Sequence, residues 1–183
     1  MNIAAWQGPP TDILGHPAPI QQFVARTDHA VVALRHVVVF PEGCSLSLHV
    51  AVRRGSLDDS VWKGVLVSDA RGGPHPRPTD ADLNFGIRFP DGSKAMTIDN
   101  VFRGLATPTD RPEPPVLIET GSESTSNDRF YQSDRQLWLW PLPPPGPLEF
   151  VIEWRKMGID ATPTTLDGEA IAHAAEQALP YWP

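Results

Sequence analysis

A single cysteine, Cys44, stands among the 183 residues. One thiol rules out an internal disulfide and a cysteine-built metal centre, and it suits a reducing cytoplasm. Basic residues are also sparse: 15 Lys and Arg against 22 Asp and Glu leave a formal charge of −7, and the longest basic run is Arg53-Arg54. Neither nucleic acid nor an anionic membrane is expected as a partner, because holding phosphates needs clustered Lys and Arg. No apolar run approaches the ~20 residues of a membrane-spanning helix. The opening MNIAAWQGPP has neither the basic nor the long apolar region of a secretory leader. A cytoplasmic protein is expected.

Catalytic signatures are missing as well. No serine sits in G-x-S-x-G, and Arg71-Gly72-Gly73 runs into proline rather than a helix start, so there is neither a nucleophile elbow nor a phosphate loop. Asp80, Asp82 and Asn84 have the spacing that opens a calcium loop. Phe85 then replaces the glycine such a loop needs, and Asp91 replaces its bidentate glutamate. Asp58, Asp59, Glu149 and Glu153 are carboxylates that nothing in the sequence brings together. No catalytic residue, cofactor or metal is expected, and the reading leans away from an enzyme.

What the chain does have is 21 prolines and six tryptophans. The prolines fall between alternating apolar runs, so they punctuate short strands rather than mark disorder. Residues 135–154, RQLWLWPLPPPGPLEFVIEW, hold half of the tryptophans and should form a strand, a stiff turn and a second strand. Leu148, Phe150, Ile152 and Trp154 recur with period two while Glu149 and Glu153 point the other way, as in a half-buried strand. In the preceding strand Leu137 and Leu139 oppose Trp138 and Trp140. A strand apolar on both faces is a central one.

The clearest hairpin spans residues 30–53. Pro41-Glu42-Gly43 suits a three-residue turn with glycine in the left-handed position, which pairs Phe40 with Cys44 and sets His36 opposite Leu48 on the inner face. His49 then lies on the outer face; a one-residue slip would bring the two histidines opposite each other. A second hairpin, residues 82–100 around PDGS, pairs Phe85 with Ile98 and Ile87 with Met96. Between the hairpins, Ser56 is expected to cap a helical turn leading into a strand over 62–68. Residues 71–79, RGGPHPRPT, read as a surface loop carrying His75 and Arg77, and residues 119–129, ETGSESTSNDR, as a mobile polar loop. Residues 159–166 add a strand. Asp167 caps a helix over about 168–179 that Pro180 stops, and Tyr181 and Trp182 should dock onto the body. Residues 1–19 form an extended arm, with Trp6, Ile13 and Leu14 to pack on this chain or a neighbour.

The segment WPLPPPGPLEFVIEW, followed by GI, an acidic strand, an alanine-rich helix and a late tryptophan, resembles the C-terminal half of a group of actinobacterial proteins. That resemblance implies no activity and carries over no functional residue.

The expected fold is all-β: a two-sheet antiparallel β-sandwich, immunoglobulin-like or jelly-roll-like, with one short C-terminal helix, built from residues 20–183 behind the arm. The expected function is a non-catalytic binding or assembly module for a protein partner or a second copy. The alternative is a small-molecule binder or enzyme with an inter-sheet cavity near His36. The candidate ligand or partner surface comprises His36, His49, Trp138, Trp140, His75 and Arg77.

Overall fold

The computed structural model describes residues 4–70, 79–97 and 111–183. Its strands form three antiparallel sheets, and two helices accompany them. The largest sheet runs β2 (His16–Ala18), β4 (Ala30–Phe40), β5 (Gly43–Arg53), β9 (Phe130–Trp140), β8 (Val116–Ser126), and β3 (Gln22–Arg26) shares the β4 edge with β2. The second sheet runs β11 (Ile159–Asp167), β10 (Pro147–Trp154), β6 (Asn84–Arg88), β7 (Lys94–Met96). One apolar cluster draws Leu34, Leu48, Val50 and Leu137 from the first sheet and Phe85, Ile87, Phe150 and Trp154 from the second. Phe85 and Phe150 stack with ring centroids 6.0 Å apart. The mainly β expectation holds, and β9 is central, between β5 and β8. The strands on either side of the PLPPPGP link belong to different sheets, so that link is a crossover.

The first hairpin differs from its expected register by one residue. Phe40 pairs with Gly43 and Val37 with Leu46, so the turn is the two residues Pro41 and Glu42, and Gly43 keeps a negative φ. A bulge at Arg35 then restores the inward alternation, pairing Leu34 with Leu48 and Val32 with Val50. Unbroken alternation would have driven His36 into the core. Burying an imidazole without a partner costs more than the one ladder bond a bulge gives up, so both Arg35 and His36 face out. The three-residue turn occurs instead in the second hairpin, where Phe89 N–H donates to Ser93 O and Gly92 takes φ 85°. Ile87 consequently pairs with Ala95, not Met96. Ile98 lies outside the described residues.

Two further segments correct the sequence reading. Residues 62–68 are not a strand but part of helix α1 (Asp59–Ala70), which buries Trp62 and Val65 and brings Val61 and Leu66 against the main cluster, beside Leu57 just before it. Ser56 does not cap it; its Oγ lies 3.4 Å from His29 Nε2. Residues 119–126 are not a loop but the length of β8, laddered onto β9 from Val116–Trp140 to Ser126–Tyr131. Asn127 Oδ1 accepts from the N–H groups of Arg129 and Phe130 and closes that hairpin.

The second helix, α2 (Gly168–Ala175), starts as expected: Asp167 Oδ1 accepts from the N–H groups of Glu169 and Ala170. It is shorter than expected, ending at Ala175, and Leu179–Pro180 beyond it forms a strand, β12, that pairs with β1 (Ile13–Leu14). Tyr181 and Trp182 do not bury; they stay 52% and 77% exposed. The arm folds back on its own chain through β1, β2 and the side chains of Ala5 and Trp6.

Candidate functional site

The outer face of the six-stranded sheet divides into three parts along β9. At one end Trp138, Trp140, Phe40 and Val116 form a second apolar cluster, which Ala5, Trp6 and Ile13 of the arm cover. Trp138 Nε1–H donates to Ala5 O at 2.9 Å, and its indole meets the Phe40 ring edge-on at 5.7 Å. The Arg111 guanidinium lies 4.7 Å over the Trp140 ring. Trp138 is fully buried and Trp140 nearly so. Both expected stacking tryptophans are thus occupied by the chain itself.

In the middle lies a charged strip. The β5–β9 register sets His49 opposite Asp134, and His49 Nδ1 approaches Asp134 Oδ1 at 2.7 Å. A carboxylate has no proton to give, so Nδ1–H is the donor and Nε2 is left facing away. The bulge turns Arg35 onto the same face, and its Nη1 donates to the same oxygen at 3.2 Å. The His49 hydrogen bond, with Arg35 adding to it, holds the Asp134 carboxyl below the usual aspartate range. About half of the Asp134 and Arg35 side chains meet solvent. His36 is exposed on this face as well, not in an inter-sheet cavity.

A carboxylate-oriented imidazole is half of a nucleophilic site. Among the described residues the other half is lacking. Ser47, two residues before His49 on the same face of β5, is 3% exposed, and its Oγ accepts from Gln136 Nε2 at 2.9 Å. The strip can hold and orient a polar ligand, but it sets no nucleophile against its base.

The far end is a hollow of about 430 Å³ with Val31 and Ala51 in its floor and Thr27, Arg53, Phe130 and Gln132 around it. Phe130 is 52% exposed. A second hollow of about 390 Å³ lies on the outer face of the four-stranded sheet, over Gly86 and between Met96, Val151 and Pro163.

The structure therefore gathers His36 and His49 on one face and sets Trp138 and Trp140 under the arm beside it. His75 and Arg77 lie outside the described residues. Sequence reasoning missed Arg35 and Asp134. The alternation of β9 carried a signal for Asp134, whereas the bulge that aims Arg35 had none. Among the described residues no group of three His, Cys, Asp or Glu side chains is placed to hold a metal ion, and no helix is long and apolar enough to cross a membrane. No protein-family model, curated protein or solved structure matches the chain.

Proposed function

We propose that this chain is a non-catalytic binding module of the β-sandwich kind, immunoglobulin-like or jelly-roll-like, which presents the outer face of its six-stranded sheet to a protein partner in the cytoplasm. Support for the sandwich is the single apolar cluster shared by the two larger sheets. The arm is part of that unit, since β2 pairs with Val37–Val39 of β4. The observation that carries the function is the His49–Asp134–Arg35 strip: fixed by register, half open to solvent, and without a nucleophile beside its base. Rigid strands holding charged side chains at set spacings favour recognition over turnover.

The test has two arms. Chromogenic ester, phosphate, glycoside and peptide substrates should show no turnover above buffer; turnover that vanishes in His49→Ala would overturn the non-catalytic reading. A displayed random-peptide library panned on the full chain should enrich sequences whose binding falls at least tenfold on the Arg35→Ala/Asp134→Ala double variant. Enriched peptides indifferent to that variant would remove the outer face from the proposal.

A second reading, a small-molecule binder, is favoured by the hollow beside Phe130, whose volume lies within the range of ligand pockets. Fragment-induced shifts in the Val31 and Ala51 methyl resonances would identify it.

A further inference from the structure

Among the described residues, exposed large hydrophobic side chains concentrate at one ribbon, where β1 meets β12. β1 and β12 pair Ile13 with Pro180 and Leu14 with Leu179, and Tyr181 N–H donates to Asp12 O at 2.9 Å. Ile13 packs into the Trp138 cluster, while its neighbour Leu14 and the cross-strand Leu179 are left in solvent. Of the seven large hydrophobic side chains exposed among the described residues, four lie here: Leu14 at 54%, Leu179 at 61%, Tyr181 at 52% and Trp182 at 77%. The other three, Phe23, Val67 and Phe130, sit on β3, α1 and β9.

Charge singles out the same place. Residues 13–25, ILGHPAPIQQFVA, and 177–183, QALPYWP, contain no Asp, Glu, Lys or Arg, although 20% of the chain is charged. Two charge-free stretches far apart in sequence meet each other in the ribbon.

We propose that this ribbon is an interface between two copies of the chain, related by a twofold axis. A second copy carries the same −7, so two copies that meet through most faces must bring like charges together. Along Ile13–Leu14 and Leu179–Pro180 they meet without doing so, and the carboxylate of Asp12 lies at the ribbon's edge. A twofold contact also needs one patch that complements itself, which an uncharged apolar patch does more readily than one of fixed charge pattern. Four large residues, each more than half exposed, make a patch smaller than the roughly 800 Å² per partner of a standard interface. Pro180 has no N–H, so the contact is one of side chains rather than of extended strand pairing. A contact of this size lies at the small, transient end of protein interfaces, so the dimer should be concentration-dependent.

Sedimentation velocity of the full chain over roughly a hundredfold range of concentration tests this. The expected result is a mass that rises from one copy to two, with Leu179→Asp and Trp182→Ser each weakening the dimer tenfold or more. Both side chains are exposed, so melting temperature and far-ultraviolet circular dichroism should not change; if Leu179→Asp disturbs the fold, Trp182→Ser carries the test. A monomer at every concentration would overturn the proposal. So would a dimer that neither substitution moves, since it would be held by another surface.

Discussion

A methyl group on Gly43 would sit 2.6 Å from Cζ2 of Trp138. It would also lie 2.5 Å from the carbonyl oxygen of Leu139, so both the indole and the neighbouring strand close over the β4–β5 turn. Glycine is needed here for space and not for a left-handed φ, which Gly43 does not adopt.

Gly43→Ala should therefore destabilise the fold by about 1–3 kcal/mol, the usual range for overpacking a tight site. Urea denaturation should show a lower midpoint with little change in slope. Tryptophan emission of the native state should shift, because Trp138 must move. Gly92→Ala is the contrast. Gly92 has φ 85° and nothing within 4 Å of its added carbon, so that variant should lose about 1 kcal/mol through backbone strain and leave the emission spectrum alone. An unshifted spectrum in Gly43→Ala would show that the indole is not tightly held.

The arm contributes in two separable ways. Removing residues 1–10 takes away Ala5 and Trp6 and bares Trp138, which should red-shift the emission and cost about 1–3 kcal/mol, the range for one large buried side chain. Removing residues 1–19 also takes β1 from β12, takes Ile13 from the tryptophan cluster and strips β2 from Val37–Val39, exposing that edge of β4. The longer deletion should be clearly less stable than the shorter in urea. Equal midpoints would mean that β1 and β2 together add nothing.

Legibility followed the source of each element's stability. The Asp167 cap was readable because its hydrogen bonds are local, and β9 because Leu137 and Leu139 oppose Trp138 and Trp140 within four residues. β8 was not readable. Its residues 119–126 are polar and turn-forming, and their strand state comes from the ladder to β9, which no local pattern announces. Helix α1 is different: Val61, Trp62, Val65 and Leu66 recur at helical spacing, a signal that reading 62–68 as a strand passed over. The outer site was half visible. His49 and its face followed from alternation, but a bulge is a tertiary compromise between His36 and the core, so Arg35 could not be placed.

That compromise makes an unusual deletion tolerable. Without Arg35, β4 would run from Leu34 opposite Leu48 straight to His36 opposite Ser47, every side chain keeping its present face. Deleting Arg35 should cost no more than about 1 kcal/mol, the worth of an exposed ion pair. Deleting Ala33 should unfold the protein or nearly so, because the shortened strand then sets Arg35 opposite Leu48 in the core. Thermal melts of the two deletions decide. A severe loss on removing Arg35 would mean that the bulge itself holds the strand.

Cys44 pairs with Val39 and Leu139 inside the sheet and is fully buried. Burial pushes its thiol up to about 12. Only the thiolate reacts with alkylating agents, so the native chain should resist iodoacetamide at pH 8 and label fully once unfolded in urea. Rapid native labelling would show that the β5–β9 ladder opens near this residue.

The Asp134 carboxyl provides a pH test of the outer strip. Its folded value is depressed by the His49 hydrogen bond first and by Arg35 second, while desolvation opposes both. A depressed folded value means that the charged form is the one folding favours, so the contribution is present above the unfolded value and is lost as pH falls through the folded one. Comparing the wild-type chain with Asp134→Asn should therefore show a stability difference that holds above about pH 4 and shrinks below it. With half the side chain in solvent the difference should be small and should weaken in high salt. A carbon-13 titration reads the site directly. A carboxyl midpoint at or above the ordinary aspartate value would mean that His49 does not donate to Asp134 in solution, and the oriented imidazole on which the binding proposal rests would be lost with it.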